Sequence, residues 1–342
     1  MDQDLILLVF CLAVFLLFII LFFYQQNRVV DEYSYDTGLF TNEYRFNYYT
    51  MNLDLSAHPK KHALPTKDLV HAMTPFQKMD EKKTQYDWHV RDLIPYLTLT
   101  RPKETPVAMW TGDIAVCMDQ PYLVKSRPVQ LSPDCMSILF KLHSDRHFDF
   151  VVDMDLSNFR TKKPVVVWRG ADTGHGFDSM TPPKGTRAYL LQHVSHPFLD
   201  LGLAQQEQGI HPYYRRFLRD PMSREQMMRC KYLLSIEGND VASNLKWALA
   251  SSSVVMMCRP TVVSWFMEDH LIPWVHYIPL RNDFSDIEKR YLWAEAHPEE
   301  CITIIKNAHR FVSMFLDDTN EHLLLTRIIQ WYKDTFQISP IH

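Results

Sequence analysis

The sequence predicts an α/β protein preceded by one membrane-spanning helix, and three observations carry that reading. From residue 106 onward, short apolar runs alternate with helix-spaced segments, the pattern of layered α/β packing. Between residues 231 and 279, a β-prone run, a polar glycine-containing loop, a helix-spaced run and a second β-prone run follow one another as a βαβ unit. Residues 5–23 are 19 consecutive apolar residues.

Taken in order, that apolar run is about 28 Å long as a helix at 1.5 Å per residue, enough to cross the hydrocarbon core. It is too long for a secretory leader, and neither a basic n-region nor a small-residue cleavage site flanks it, so residues 1–28 are expected to be a retained anchor. Asp2 and Asp4 precede the run and Arg28 follows it, which favours a cytosolic body. Residues 25–60 are polar and aromatic without a clean period and read as a stem. Residues 58–67 read as a loop, and 68–97 have helical spacing in places. Short apolar runs follow at 107–110, 121–124, 148–152 and 164–168, with helix-spaced segments at 184–194, 223–229 and 240–250. The end, 298–336, is mostly helical in pattern, with Ile302, Ile305, Ala308 and Val312 in register.

The bulk numbers narrow the function. With 342 residues and 46% hydrophobic content the chain can build two domains with real cores. A net charge of −4 provides no basic footprint, so nucleic acid is not an expected partner. Six cysteines without a CxxC pair indicate neither a disulfide framework nor a zinc site.

Two loops hold candidate chemistry. The loop Glu237-Gly238-Asn239-Asp240 leads into a segment where Val241, Leu245, Ala248 and Leu249 share one helical face, so a helix N-terminus behind it is expected to receive an anion. The second follows the apolar run ending at Trp168. There Arg169 offers a planar fork of donors for phosphate, and Gly170, Gly174 and Gly176 let the backbone approach a ligand. Neither loop is a Walker A or dinucleotide motif, so a plain turn with a surface arginine remains open at this point.

The stretches WRGADTG, Lys184-Gly185-Thr186-Arg187, KYLLSIEGNDVASNLKWALASSSVV, SWFMEDHLIPWVHYIPL and DFSDIE, in this order, resemble glycosyltransferase family 90 over roughly residues 100–335. That family holds lipopolysaccharide-modifying, capsule-associated and Rumi-type protein O-glucosyltransferases. The resemblance implies a GT-B architecture, with two Rossmann-like domains facing a cleft, and inverting transfer from a UDP-sugar with no required metal. Residues 29–163 would then be the stem and acceptor-side domain, 164–320 the donor-binding domain, and 321–342 a helix packing back. It also implies roles. Trp168, Arg169, Gly170, Arg187, Glu237, Gly238, Asn239, Ser243, Asn244 and Lys246 would bind the donor, with Glu237 on ribose hydroxyls and the cations on the diphosphate. Asn244 is a departure, because Rumi-type relatives carry an arginine there; either Lys246 or Arg187 supplies the charge, or donor binding is weakened. The general base matches Asp113, after the run at 107–110, with Asp119 as its rival.

Other readings stay beside this one. Asp153 and Asp155 follow an apolar run and form a DxD, which in a GT-A-type transferase would hold a divalent cation on the diphosphate. A degenerate, glycan-binding scaffold without activity is the non-enzyme reading, motivated by Asn244. His143/His147 and His193/His196 have ligand spacings but no supporting cysteine or carboxylate pattern. The expected partners are a UDP-sugar, UDP-glucose or UDP-xylose, a glycan or glycoprotein acceptor, and the membrane through residues 5–23. A single-pass Golgi or ER type II placement fits a eukaryotic source, and a cytosol-facing body fits a bacterial or viral one.

Overall fold

The computed structural model describes residues 41–53, 60–70, 85–153, 156–205 and 211–341. The apolar run at 5–23, and with it the expected anchor and its orientation, lies outside the described residues, as does Asp155. Among the described residues no helix is long and apolar enough to cross a membrane. Residues 32–342 form one compact unit.

The first half is assembled from short pieces. Helix α1 (Asn42–Tyr49) is capped by Thr41, whose hydroxyl accepts from the Tyr44 amide. Strand β1 (Lys60–Pro65) is followed by β2 (Leu69–Val70), helix α2 (Gln85–Leu99) and β3 (Val107–Ala108), with β2 and β3 antiparallel. Strand β4 (Tyr122–Val124) joins the end of β3 through a parallel bridge between Met109 and Leu123. Strand β5 (Ser126–Pro128) turns away, β6 (Ser137–Leu139) pairs in parallel with β4, and helix α3 (Ser144–His147) follows. The Met136 amide donates to the Met118 carbonyl just ahead of this pairing, which brings Cys117 and Cys135 into a disulfide with Cα atoms 5.0 Å apart. The cysteine spacing indicates no disulfide framework; this single bridge comes from parallel strand pairing, which spacing does not reveal.

The second half is the α/β part. Strand β7 (Lys163–Ala171), helix α4 (Arg187–His193), β8 (Leu199–Gln205), helix α5 (Arg224–Met227), β9 (Cys230–Ser235), helix α6 (Leu245–Leu249), β10 (Val254–Met257), β11 (Val262–Ser264) and β12 (Ile278–Pro279) follow in order. Five of these strands form one sheet, β12-β10-β9-β7-β8, with every pairing parallel. Such a sheet is covered on both faces, and the inner strand β10 is accordingly a continuous apolar run with all four residues buried. Strand β11 leaves the sheet to pair antiparallel with β5, tying the halves together.

Helices α7 (Ile287–Ala296), α8 (Pro298–Ser313) and α9 (Asp318–Thr335) close the chain, which ends in β13 (Phe336–Ile341), parallel to β1. Helix α8 buries Cys301, Ile304, Ile305, Ala308, Phe311 and Val312, a three-and-four spacing that makes one apolar face. Helix α9 crosses back to the first half, where Tyr332 Oη accepts from the Ala108 amide at 3.1 Å and donates to the Pro121 carbonyl.

Several expected elements differ. The stretch 58–67, read as a loop, holds β1, and the end of 321–342, read as a helix, holds β13, because each strand gives the other a parallel partner from the far end of the chain. The stem at 25–60 contains helix α1. No strand forms at 148–152; Phe148, Phe150 and Val152 pack singly against the core, because no neighbouring strand offers them a ladder. The helix expected over 240–250 is five residues long and begins only at Leu245.

Candidate active site

In the sheet order β12-β10-β9-β7-β8, the connections from β7 and β9 leave on opposite sides, and such reversal points open a crevice at the carboxyl ends of the strands. Ala171 and Thr173 at the end of β7, and Gly238, Asn239 and Asp240 beyond β9, line a cleft of about 320 Å³ there. The first half supplies its other wall with Asp113 after β3, Lys125 between β4 and β5, and Arg146 and His147 on α3. The two loops of the second half touch. Gly174 has φ +99°, and a Cβ on it would meet the Gly238 carbonyl carbon at 3.2 Å. Its amide donates to Asn239 Oδ1 at 2.8 Å, so the β7 loop helps hold the β9 loop.

A buried lysine organises the charges. Lys125 Nζ lies 2.6 Å from Asp113 Oδ1 and 2.7 Å from Asp240 Oδ2, bridging the halves. Ser126 Oγ is 2.9 Å from the same Asp240 oxygen. The two carboxylates respond differently to one ammonium. Burial raises Asp240 from its ordinary value despite Lys125, whereas at Asp113 burial is outweighed by Lys125, with Asn239 adding to it, and the carboxyl is held low. The Asp240 side chain is 7% exposed and that of Asp113 24%, so Asp113 keeps more solvent and stays ionised at neutral pH.

Behind them stand His89, His143 and His147, with His143 in edge contact with both others. Burial first, and then nearby cations, push His89 down to about 3, His143 to about 4 and His147 well below its usual value, so all three are neutral. Arg187 is buried in the opposite wall. Its guanidinium donates to the Ile236 and Ala171 carbonyls at 3.1 Å and to Thr173 Oγ1 at 2.6 Å. Burial, and after it the charge of Arg146, lower it to about 10, which leaves it protonated.

The structure sorts the residues expected from sequence. Asp113, Arg187, Gly238, Asn239 and Ser243 meet at the cleft. Arg169 does not reach it: its guanidinium turns along β8, 2.7 Å from Asp200 Oδ1, and donates to the carbonyls of Trp168 and Asp200. Trp168 is buried, with its ring against Gly170 and the Arg187 guanidinium over it. Glu237 accepts from the Thr261 and Val262 amides at 2.8 and 3.1 Å and lines a separate small pocket with Met257 and Val262. Asn244 Nδ2 donates to the Leu234 carbonyl at 2.9 Å, binding the end of β9 rather than facing the cleft. Lys246 is fully buried, 2.9 Å from Glu268 and between the rings of Phe148 and Phe266. Asp119 is exposed and does not line the cleft.

The expected anion site at a helix N-terminus is also not formed. Asp240 is drawn to Lys125 and Asn244 to β9, and the helix begins only at the buried Leu245, after Asn244 at its N-cap. Asp153 accepts from Ser252 Oγ at 2.6 Å, and among the described residues no group of three or more histidine, cysteine or acidic side chains is placed to hold a metal. Arg146 carried no signal in the sequence, whereas Asp240 and Thr173 lie in the two loops singled out there without having been assigned a role, and His147 was named only for a metal-ligand spacing. The stretch Lys125-Ser126-Arg127-Pro128, which also resembles family 90 and from that resemblance is expected to line the cleft, places Lys125 there.

The model of glycosyl transferase family 90 matches residues 149–341, more than half of the chain. The chain belongs to this family. It is 37% identical over 236 residues to the O-glucosyltransferase LpsA of Dichelobacter nodosus, covering 69% of this chain and 68% of the relative. It is 33% identical over 107 residues to protein O-glucosyltransferase 2 of Danio rerio, covering 31% of this chain and 20% of that protein. An uncharacterised protein, 035R, of Invertebrate iridescent virus 3 is 28% identical over 171 residues, which is 15% of its own length. Membership of family 90 makes the chain a glycosyltransferase. The family match contains both second-half loops of the cleft, while Asp113, Lys125 and Arg146 precede it.

Proposed function

We propose that this glycosyltransferase is a GT-B-like, inverting enzyme that moves a sugar from a UDP-sugar, glucose or xylose, to a hydroxyl of a glycan or protein, with no metal required. The observation that carries the reading is Asp113, ionised beside Lys125 and facing the crevice at the ends of β7 and β9. In this reaction the Asp113 carboxylate takes the proton of the acceptor hydroxyl as that oxygen bonds to the anomeric carbon. The bond from the anomeric carbon to the diphosphate oxygen breaks on the opposite face, and UDP leaves with the electron pair. Cations and backbone amides fixed around the cleft stabilise the growing negative charge. Trp110, 36% exposed, lies with its indole nitrogen against Gly112, beside Asp113, and offers an apolar face to an acceptor. The names of the Dichelobacter and Danio relatives support glucose as the transferred sugar. Residues 5–23 would attach the enzyme to a membrane, and thiol trapping of Cys117 and Cys135 in cells would report whether the body faces an oxidising compartment.

The test is UDP release by the full-length protein from a panel of UDP-sugars, with and without EDTA. Transfer that persists in EDTA is expected. Transfer abolished by EDTA would replace this reading with the metal-dependent one built on Asp153 and Asp155, and absence of both transfer and UDP binding would leave the glycan-binding scaffold.

A further inference from the structure

The cleft carries three basic side chains, and their partners divide them. Lys125 is occupied by two carboxylates, Asp113 at 2.6 Å and Asp240 at 2.7 Å. Arg187 sits in the wall, with its donors directed to two main-chain carbonyls and Thr173. Arg146 is exposed, lines the cleft, and among the described residues its guanidinium forms no hydrogen bond or ion pair.

Arg146 also stands in an unfavourable place for an idle cation. Its charge acts on Arg187 across the cleft and on His143 and His147, and the carboxylate it also acts on, Asp113, is already paired with Lys125. Gathered like charges with unspent donors are relieved by an anion placed between them. The opposite wall offers Gly238, Asn239 and Ser243 from the β9 loop, so an anion held there would be gripped from both halves. A planar guanidinium matches two phosphate oxygens at once.

We propose that Arg146 binds the diphosphate of the sugar donor, reaching to it from the acceptor-side half. It thereby supplies the charge that Asn244 lacks and that Lys246, held by Glu268 in the core, does not bring to the cleft. The assignment rests on the proposed use of a nucleoside-diphosphate sugar.

Calorimetric titration of the full-length protein with UDP and with uridine tests it, using Arg146→Gln and Arg146→Lys. Because Arg146 is exposed and unpaired among the described residues, both variants are expected to melt with the wild type. Arg146→Gln should lose about ten- to a hundredfold in UDP affinity, the scale of a charge-assisted hydrogen bond to an anion, with uridine affinity unchanged. Its UDP affinity should also depend less on salt, and Arg146→Lys should recover part of the loss. Arg146→Gln binding UDP as the wild type does, or losing UDP and uridine equally, overturns the assignment alone. A wild type that binds none of UDP, ADP or GDP overturns the proposed function and this assignment together.

Discussion

Lys125 and Lys246 are both buried lysines paired with carboxylates, yet one sits at the cleft and the other in the core. Lys125 joins Asp113 of the first half to Asp240 of the second and lines an open polar cavity. Lys246 meets Glu268 in a closed nest, where Glu268 also accepts from the amide and hydroxyl of Ser264 and two phenylalanine rings flank the ammonium. The core pair is enclosed, and neither Lys246 nor Glu268 lines the cleft that Lys125 lines. At the cleft, the same chemistry leaves one carboxylate, Asp113, partly solvated and lining the open cavity. Residue type and burial are shared, so what separates a site from a scaffold is whether the partners' remaining valences are filled.

Substitutions at each place can break this contrast. The largest effect is expected for Asp113→Asn, which should bind UDP like the wild type but transfer about 10²–10⁴-fold more slowly, the usual scale for a general base. Retained transfer would move the base to another carboxylate. Next, Lys246→Met leaves Glu268 buried with an uncompensated charge and should cost about 3–5 kcal/mol in urea unfolding. UDP affinity of the folded fraction should be preserved; a loss of affinity with unchanged stability would make Lys246 a donor ligand after all.

At the cleft, Lys125→Met should act on acidity. Burial by itself raises Asp113, and Lys125 is the main influence that outweighs it. Without the lysine the carboxyl rises, so the ionised base is lost at a higher pH on acidification. The acid limb of kcat/KM should therefore move up by about 1–3 pH units, and an unmoved limb would detach Lys125 from the base. The smallest effect is expected for Gly174→Ala. It forces a Cβ at φ +99° against the Gly238 carbonyl, and should lower stability by about 1–3 kcal/mol and weaken UDP binding by opening the contact between the loops.

The same contrast explains what was readable beforehand. Apolar runs and turn residues are local signals, so β7, β9 and β10 and the two loops behind them were placed within a few residues. Local signals failed where a distant partner overrode them. The helix expected from Asp240 starts only at Leu245, with Asp240 drawn to Lys125 and Asn244, its N-cap, to the end of β9. Arg169 looked like a phosphate ligand, but β8 lies beside it in the sheet and Asp200 takes its guanidinium.

By itself, the sequence determined the α/β alternation, membership of family 90 and the candidate base Asp113, because periodicity and motif order lie along the chain. The tertiary structure alone decided which charges face the cleft. Lys246 and Arg146 differ in sequence only as two basic residues near apolar runs, and nothing local says that one will meet Glu268 in the dry interior while the other stands in solvent opposite Arg187. Burial and pairing depend on residues far apart in the chain, and those set whether a charge is spent on the fold or left for a ligand.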